Sequence, residues 1–349
     1  MKMKYSGLLL LLIVFLSCST TETNPFWSDG REFFDVQQLY NDERFPNVVV
    51  AVDGSIVTTW GSSNMRVRRS EDGGNTWGTE IVVANPGFQG GGTTVDEKSG
   101  DILFFIEAGH PIAPLTVYRS KDNGKTWRPD EVVIHPDSKG NVPSMHMNER
   151  GITLKNGKYA GRLIRPSRVY AGGNDRKFWH LHYSNAIYSD DGGKNWHPSD
   201  PFPAFGTGEA ALEELSDGTI YYNSRRHLST DGLDPRMRYI ARSTDGGQTW
   251  KDMSVSDALP DGARHTDYGL MAGLVRLPVE GHDILIFSNI DMPADIKDEE
   301  VPFEQRTSRR IRGTVWASFD GGKTWPLKRL VDGGSFAYSS LAAGRKGTP

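Results

Sequence analysis

The chain has 349 residues, a formal net charge of −4 at pH 7 and a single cysteine. With no Lys/Arg run interleaved with aromatics, that balance argues against nucleic acid as a partner. One cysteine excludes an internal disulfide framework and a multi-thiolate metal centre, and the length suits one domain rather than two.

The N-terminus reads as an export signal. Lys2 and Lys4 precede an apolar run from Leu8 to Leu16, too short to span a bilayer as a mature helix. Ser17, Cys18 and Ser19 follow, and Cys18 stands where a bacterial lipoprotein signal places its lipidated residue. The expected organisation is a lipoprotein-type signal over residues 1–18, a polar tether over 19–30 and a globular domain over 31–349. Membrane contact would then run only through acyl chains on Cys18, on an exported bacterial envelope protein.

Within the domain one turn motif, Ser-x-Asp-x-Gly-x-Thr-Trp, occurs five times: Ser70 to Trp77, Ser120 to Trp127, Ser189 to Trp196, Ser243 to Trp250 and Ser318 to Trp325. Only the third copy departs, with Asn195 in place of Thr. The Asp can hydrogen-bond the backbone of its own turn, and the Gly supplies a positive φ. The Trp then enters the next strand as an apolar wedge between sheets. A recurrence of roughly 50 to 75 residues is the spacing of a four-stranded propeller blade.

Apolar and β-branched runs flank these boxes, over residues 47–52, 56–60, 101–106, 219–222, 282–288 and 313–317. Turns such as Asp53-Gly54, Asn156-Gly157 and Asp217-Gly218 separate many of them, as hairpins require. No stretch carries a long amphipathic helical period, so the chain reads as all-β. Only 24 residues follow Trp325 in the 349-residue chain. The last blade is therefore expected to be incomplete, or to borrow a strand from residues 33–52.

Arginines cluster near predicted strand ends: Arg44, the set Arg66, Arg68 and Arg69, the pair Arg225 and Arg226, and the run from Arg306 to Arg312. Guanidinium groups converging from several blades would bind a carboxylate through planar, permanently charged forks. With these arginines in place, the chain resembles the exo-α-sialidases (neuraminidases), whose fold is a six-bladed propeller. Arg44-Phe45-Pro46 is similar to the family segment that bears the first carboxylate-binding Arg. The run from Gly208 to Arg225 resembles a second segment. By that resemblance Glu209 polarises the nucleophile and Arg225 is the second Arg. Arg310, eight residues before Ser318, falls where the family has its third Arg, with Arg309 and Arg312 as alternatives if the register slips. Phe336-Ala337-Tyr338-Ser339-Ser340-Leu341 looks like the segment carrying the nucleophilic Tyr. The implied function is removal of terminal sialic acid, or a related acidic nonulosonic sugar, from glycoconjugates without a cofactor.

The chemistry fits such a substrate. A carboxylate on the anomeric carbon repels a carboxylate nucleophile, and a neutral Tyr avoids this. A phenol titrates near ~10, so Glu209 would take its proton. One departure stands out. The family's acid/base Asp lies on a loop before the first box, and here residues 59–69 contain no carboxylate. Glu107, His110, Glu149 and Asp267 are the candidate substitutes. The family's acyl pocket is also unrecognisable: Gln89-Gly90-Gly91-Gly92-Thr93-Thr94 reads as a flexible loop. His180 and His182 are expected on one strand face in a structural role, not as metal ligands. Two alternatives to the hydrolase remain, a glycan-binding propeller without turnover and a hydrolase of another anionic sugar.

Overall fold

The computed structural model describes residues 35–228, 237–262, 269–291 and 310–345. The propeller lies in one compact unit that begins at Asp42. Its strands form five sheets among the described residues. The first contains β1 (Asn47–Val50), β2 (Ile56–Trp60), β3 (Met65–Ser70) and β4 (Ile81–Ala84). The second contains β5 (Phe88–Val95), β6 (Ile102–Glu107), β7 (Leu115–Ser120) and β8 (Arg128–Asp130). In the third, β10 (Ile152–Thr153), β11 (Leu163–Val169), β12 (Tyr183–Ser189) and β13 (Asn195–Pro198) are joined by β9 (Val133–Ile134), which pairs parallel with β13. The fourth contains β14 (Ala210–Glu214), β15 (Ile220–Ser224), β16 (Met237–Ser243) and β17 (Lys251–Pro260). The fifth contains β18 (Gly273–Arg276), β19 (Leu285–Ile290), β20 (Ile311–Ser318) and β21 (Leu327–Ser335).

Among the described residues the result is an all-β propeller with five blades rather than the expected six. Each box closes one blade, because each lies between the third and fourth strand of its sheet. Five boxes account for five blades. The expectation that residues 33–52 would complete the last blade is also corrected: β1 pairs with β2 in the first sheet, while residues 33 and 34 lie outside the described residues. Beyond β21, residues 336–345 run without strand pairing as a strap between the fifth and first sheets.

The boxes behave as their chemistry predicts. In the first, Asp72 Oδ1 accepts the Thr76 N–H at 2.8 Å and Oδ2 accepts the Thr76 hydroxyl at 2.6 Å. Ser70 Oγ in turn receives the Gly74 N–H at 2.8 Å. In the third box Asn195 replaces Thr without loss, since its Nδ2 donates to Asp191 Oδ2 at 2.7 Å. Trp196 wedges edge-on against Phe105 of the second sheet, and Trp325 packs on Tyr221 of the fourth. The core accordingly lies between adjacent sheets, as with Val49, Val57, Ile102 and Phe104 between the first two.

Candidate active site

Alternating strand direction determines which residues meet. In an antiparallel blade the start of the first strand, the end of the second and the start of the third lie at one mouth. Arg44 precedes β1, Glu209 precedes β14, Arg225 follows β15 and Arg310 precedes β20. All four, with Tyr338 from the strap, line one cavity of about 410 Å³. Residues far apart in sequence thus share one pocket. Arg312, the register alternative, instead donates to Asp291 O at 3.2 Å, and Arg309 lies outside the described residues.

Glu209 and Arg225 meet through the β14–β15 hairpin, where Ala210 pairs with Ser224. One position further out, the Arg225 N–H donates to Glu209 O at 2.8 Å. Their side chains form a hydrogen-bonded ion pair, with Glu209 3% and Arg225 2% exposed. Burial disfavours the Arg225 charge, but the Glu209 carboxylate and then Tyr338 lift its pKa above the ordinary value. Tyr338 is half-buried, with the Arg310 guanidinium 5.1 Å and the Arg44 guanidinium 5.5 Å from its ring centroid. Its ring meets Phe45 edge-on at 5.2 Å, and Phe45 continues to Phe88 at 5.4 Å. Phe88 in turn meets His110 at 5.6 Å and His146 at 5.1 Å, so aromatic contacts run from Tyr338 to these histidines.

His110 and His146 stand edge to face at 4.9 Å, and both line the cavity. Burial, and next Arg168, holds His146 well below the ordinary imidazole value. Glu107, behind His146, accepts a hydrogen bond from Ser144 Oγ at 2.6 Å. Burial pushes its carboxyl up to about 7, against the opposing effects of Ser144 and Arg168. Among the candidate substitutes for the missing acid, His110 is exposed at the cavity, whereas Glu107 and Glu149 are 2% and 1% exposed. Asp267 lies outside the described residues.

The short loop without a carboxylate carries Ser62, which lines the cavity and whose N–H donates to Glu43 Oε2 at 2.9 Å. Hydrogen bonds from Ser62 and Ser63 hold the Glu43 carboxyl below its ordinary value. That makes Glu43 a poor proton donor.

Sequence reasoning missed Arg168. It lines the cavity, is 1% exposed, and places Nη1 3.8 Å from Glu209 Oε1. The available signal was two arginines, Arg165 and Arg168, inside strand β11, which is buried on both faces. The reading of residues 89–94 as a flexible loop is corrected: they lie in β5, and all are buried. The glycines serve close packing, since a Cβ on Gly91 would fall 2.2 Å from Met145 O and one on Gly92 2.2 Å from the Asn47 side chain. His180 and His182 are not on a strand either. His180 sits in a 3-10 turn over Arg176–Leu181, and His182 caps it.

The fold and site together define an Asp-box propeller with an arginine-rich mouth, a buried Glu–Arg pair and a cavity tyrosine. The chain belongs to the BNR repeat-like domain family, which matches residues 58–348. It is similar to the sialidase of Micromonospora viridifaciens, 28% identical over 359 residues that cover 92% of this chain and 50% of that protein. A Bacteroides fragilis sialidase (strain YCH46) is 29% identical over 203 residues, covering 55% of this chain and 30% of its own length. Among solved structures, Hadza microbial sialidase Hz136 superposes with a TM-score of 0.62 at 26% identity, covering 86% of this chain and 60% of that one. The leech intramolecular trans-sialidase complexed with 2,7-anhydro-Neu5Ac shares the fold, with a TM-score of 0.64 at 15% identity and coverage of 86% and 63%. The chain thus spans about half the length of the Micromonospora relative.

Proposed function

We propose that this chain is an exo-acting, sialidase-type glycoside hydrolase that removes terminal sialic acid, or a related acidic nonulosonic sugar, from glycoconjugates. The observation that carries the reading is the convergence of Arg44, Glu209, Arg225, Arg310 and Tyr338 on one cavity. In this reading the three arginines hold the substrate carboxylate through charge-assisted bonds. Tyr338 attacks the anomeric carbon, and Glu209 accepts the phenolic proton as the C–O bond to the sugar forms. The aglycone oxygen leaves with a proton, and water then displaces the tyrosyl oxygen with return of the proton to Tyr338. Two inversions give net retention. His110 is assigned the leaving-group proton, because among the described candidate substitutes it is the cavity-exposed group.

The test is hydrolysis of an aryl sialoside followed by NMR. Release of the α-anomer first supports the reading, and initial release of the β-anomer excludes a tyrosyl intermediate. The loop that lacks the usual acid favours a second reading, a glycan-binding propeller without turnover. Sialoside binding with no product from the aryl substrate would select it. A panel of other anionic aryl glycosides separates the third reading, hydrolysis of a different acidic sugar. We further propose that the protein is exported and anchored through lipid on Cys18, on the strength of the sequence Ser17-Cys18-Ser19 after an apolar run.

A further inference from the structure

Tyr338 has a φ of +45°, a left-handed conformation that side chains with a Cβ adopt only where their surroundings impose it. The strap that carries it, residues 336–345, has no ladder of strand hydrogen bonds to impose anything. Two consecutive serine hydroxyls do so instead. Ser339 Oγ accepts the Gly273 N–H of β18 at 3.1 Å and the Ser288 hydroxyl of β19 at 2.7 Å, and donates to Ser288 O at 3.0 Å. Ser340 Oγ accepts the Val48 N–H at 3.1 Å and Asn47 Nδ2 at 3.2 Å, both from β1, and donates to Glu149 Oε1 at 2.5 Å. Each hydroxyl therefore uses its full capacity of one donated and two accepted bonds. One serine is tied to the fifth sheet and the other to the first.

Glu149 is the hub of the second tie. Its Oε1 also accepts from Asn47 Nδ2 and from the Arg150 N–H, each at 3.1 Å. Two glycines let the strap lie close: a Cβ on Gly313 would fall 2.1 Å from the Phe336 ring, and one on Gly273 2.9 Å from Leu341 Cγ. The Phe336 N–H donates to Arg310 O at 2.7 Å, which links the strap to a cavity arginine.

We propose that Ser339, Ser340, Asn47 and Glu149 form a clamp that fixes the Tyr338 backbone and thereby aims its phenol, which makes them positioning residues for the attack. The catalytic part of this rests on the function proposed above, whereas the clamp itself does not. Misplacing a reacting group by about 1 Å costs on the order of 10²-fold in rate.

The test incorporates 3-fluorotyrosine at position 338 and compares wild type with Ser340→Ala, Glu149→Gln and Ser340→Thr. Covalent labelling by a 2,3-difluoro sialoside and binding of 2-deoxy-2,3-didehydro-sialic acid are measured in parallel. The clamp predicts one sharp 19F resonance in wild type and Ser340→Thr, and a broadened or split one in Ser340→Ala and Glu149→Gln. It also predicts a labelling rate constant lowered by about 10²-fold in those two variants, with the number of labelled sites and the affinity for the unreactive analogue unchanged. A single unaltered resonance in Ser340→Ala, or a loss that merely tracks lost sites and lost binding, overturns it. If wild type takes no label while the resonance still responds to Ser340→Ala, the functional reading fails and the clamp stands.

Discussion

Replacing Arg225 by Met tests how the buried charges of the site depend on one another. Arg225 and Glu209 are ion-paired at 2% and 3% exposure, and the Arg168 guanidinium lies 3.8 Å from the Glu209 carboxylate. Removing one partner of a buried pair costs about 3–5 kcal/mol, because the other charge stays desolvated. Arg168 retains part of the compensation for Glu209, so Arg225→Met should sit near the lower end of that range. Glu209→Gln is the harsher change, since it leaves two buried guanidiniums, Arg168 and Arg225, without their shared anion. The double variant removes the stranded carboxylate and one stranded cation together. Its loss should fall short of the sum of the single losses by about 2–3 kcal/mol. Urea denaturation reads these numbers provided the m values agree. On an aryl sialoside Arg225→Met should lower kcat/KM by roughly 10- to 100-fold, the equivalent of one charge-assisted hydrogen bond. Single losses that add to the double within ~0.5 kcal/mol would refute the coupled-charge argument.

Glu107→Gln should flatten the alkaline side of the stability profile. Burial raises the folded carboxyl from 4.5 to about 7, so folding is favoured most below 4.5, and stability falls as pH rises through about 7. The amide cannot ionise, and Tm measured from pH 4 to 8 should fall less steeply in the variant than in wild type, the remaining decline coming from Glu149, whose carboxyl burial also raises to about 7. His110→Ala should leave hydrolysis of an aryl sialoside with a good leaving group nearly intact, yet slow an alkyl sialoside by ~10²–10⁴-fold. Equal effects on both substrates would remove His110 from proton transfer. If the proposed anchor is right, Cys18→Ser should abolish incorporation of a labelled fatty acid into the protein, and labelling that persists would contradict it.

The parts of the molecule written in local chemistry were legible in the sequence. Each box specifies its own turn through Asp-to-backbone bonds, and the copies count the blades. Glu209 and Arg225 were named by family likeness, and the structure supplies the reason that they meet: a hairpin over Asp217-Gly218 makes them cross-strand neighbours. The expected sixth blade came from family likeness and not from these residues. Gly90 to Gly92 were misread because their role is set by distant atoms, Phe105 O, Met145 O and the Asn47 side chain. Arg168 escaped notice for a related reason. A charged residue in a strand buried on both faces conflicts with local pattern, and only the carboxylates at Glu209 and Glu107 explain it. The clamp on Tyr338 was invisible because its members come from positions 47, 149, 339 and 340.

The most direct measurement is proteolysis and mass analysis of the protein after inactivation with a 2,3-difluoro sialoside. The account predicts a single glycosyl adduct on the phenolic oxygen of Tyr338. An adduct on any other residue, or turnover of an aryl sialoside by Tyr338→Phe at the wild-type rate, would contradict it.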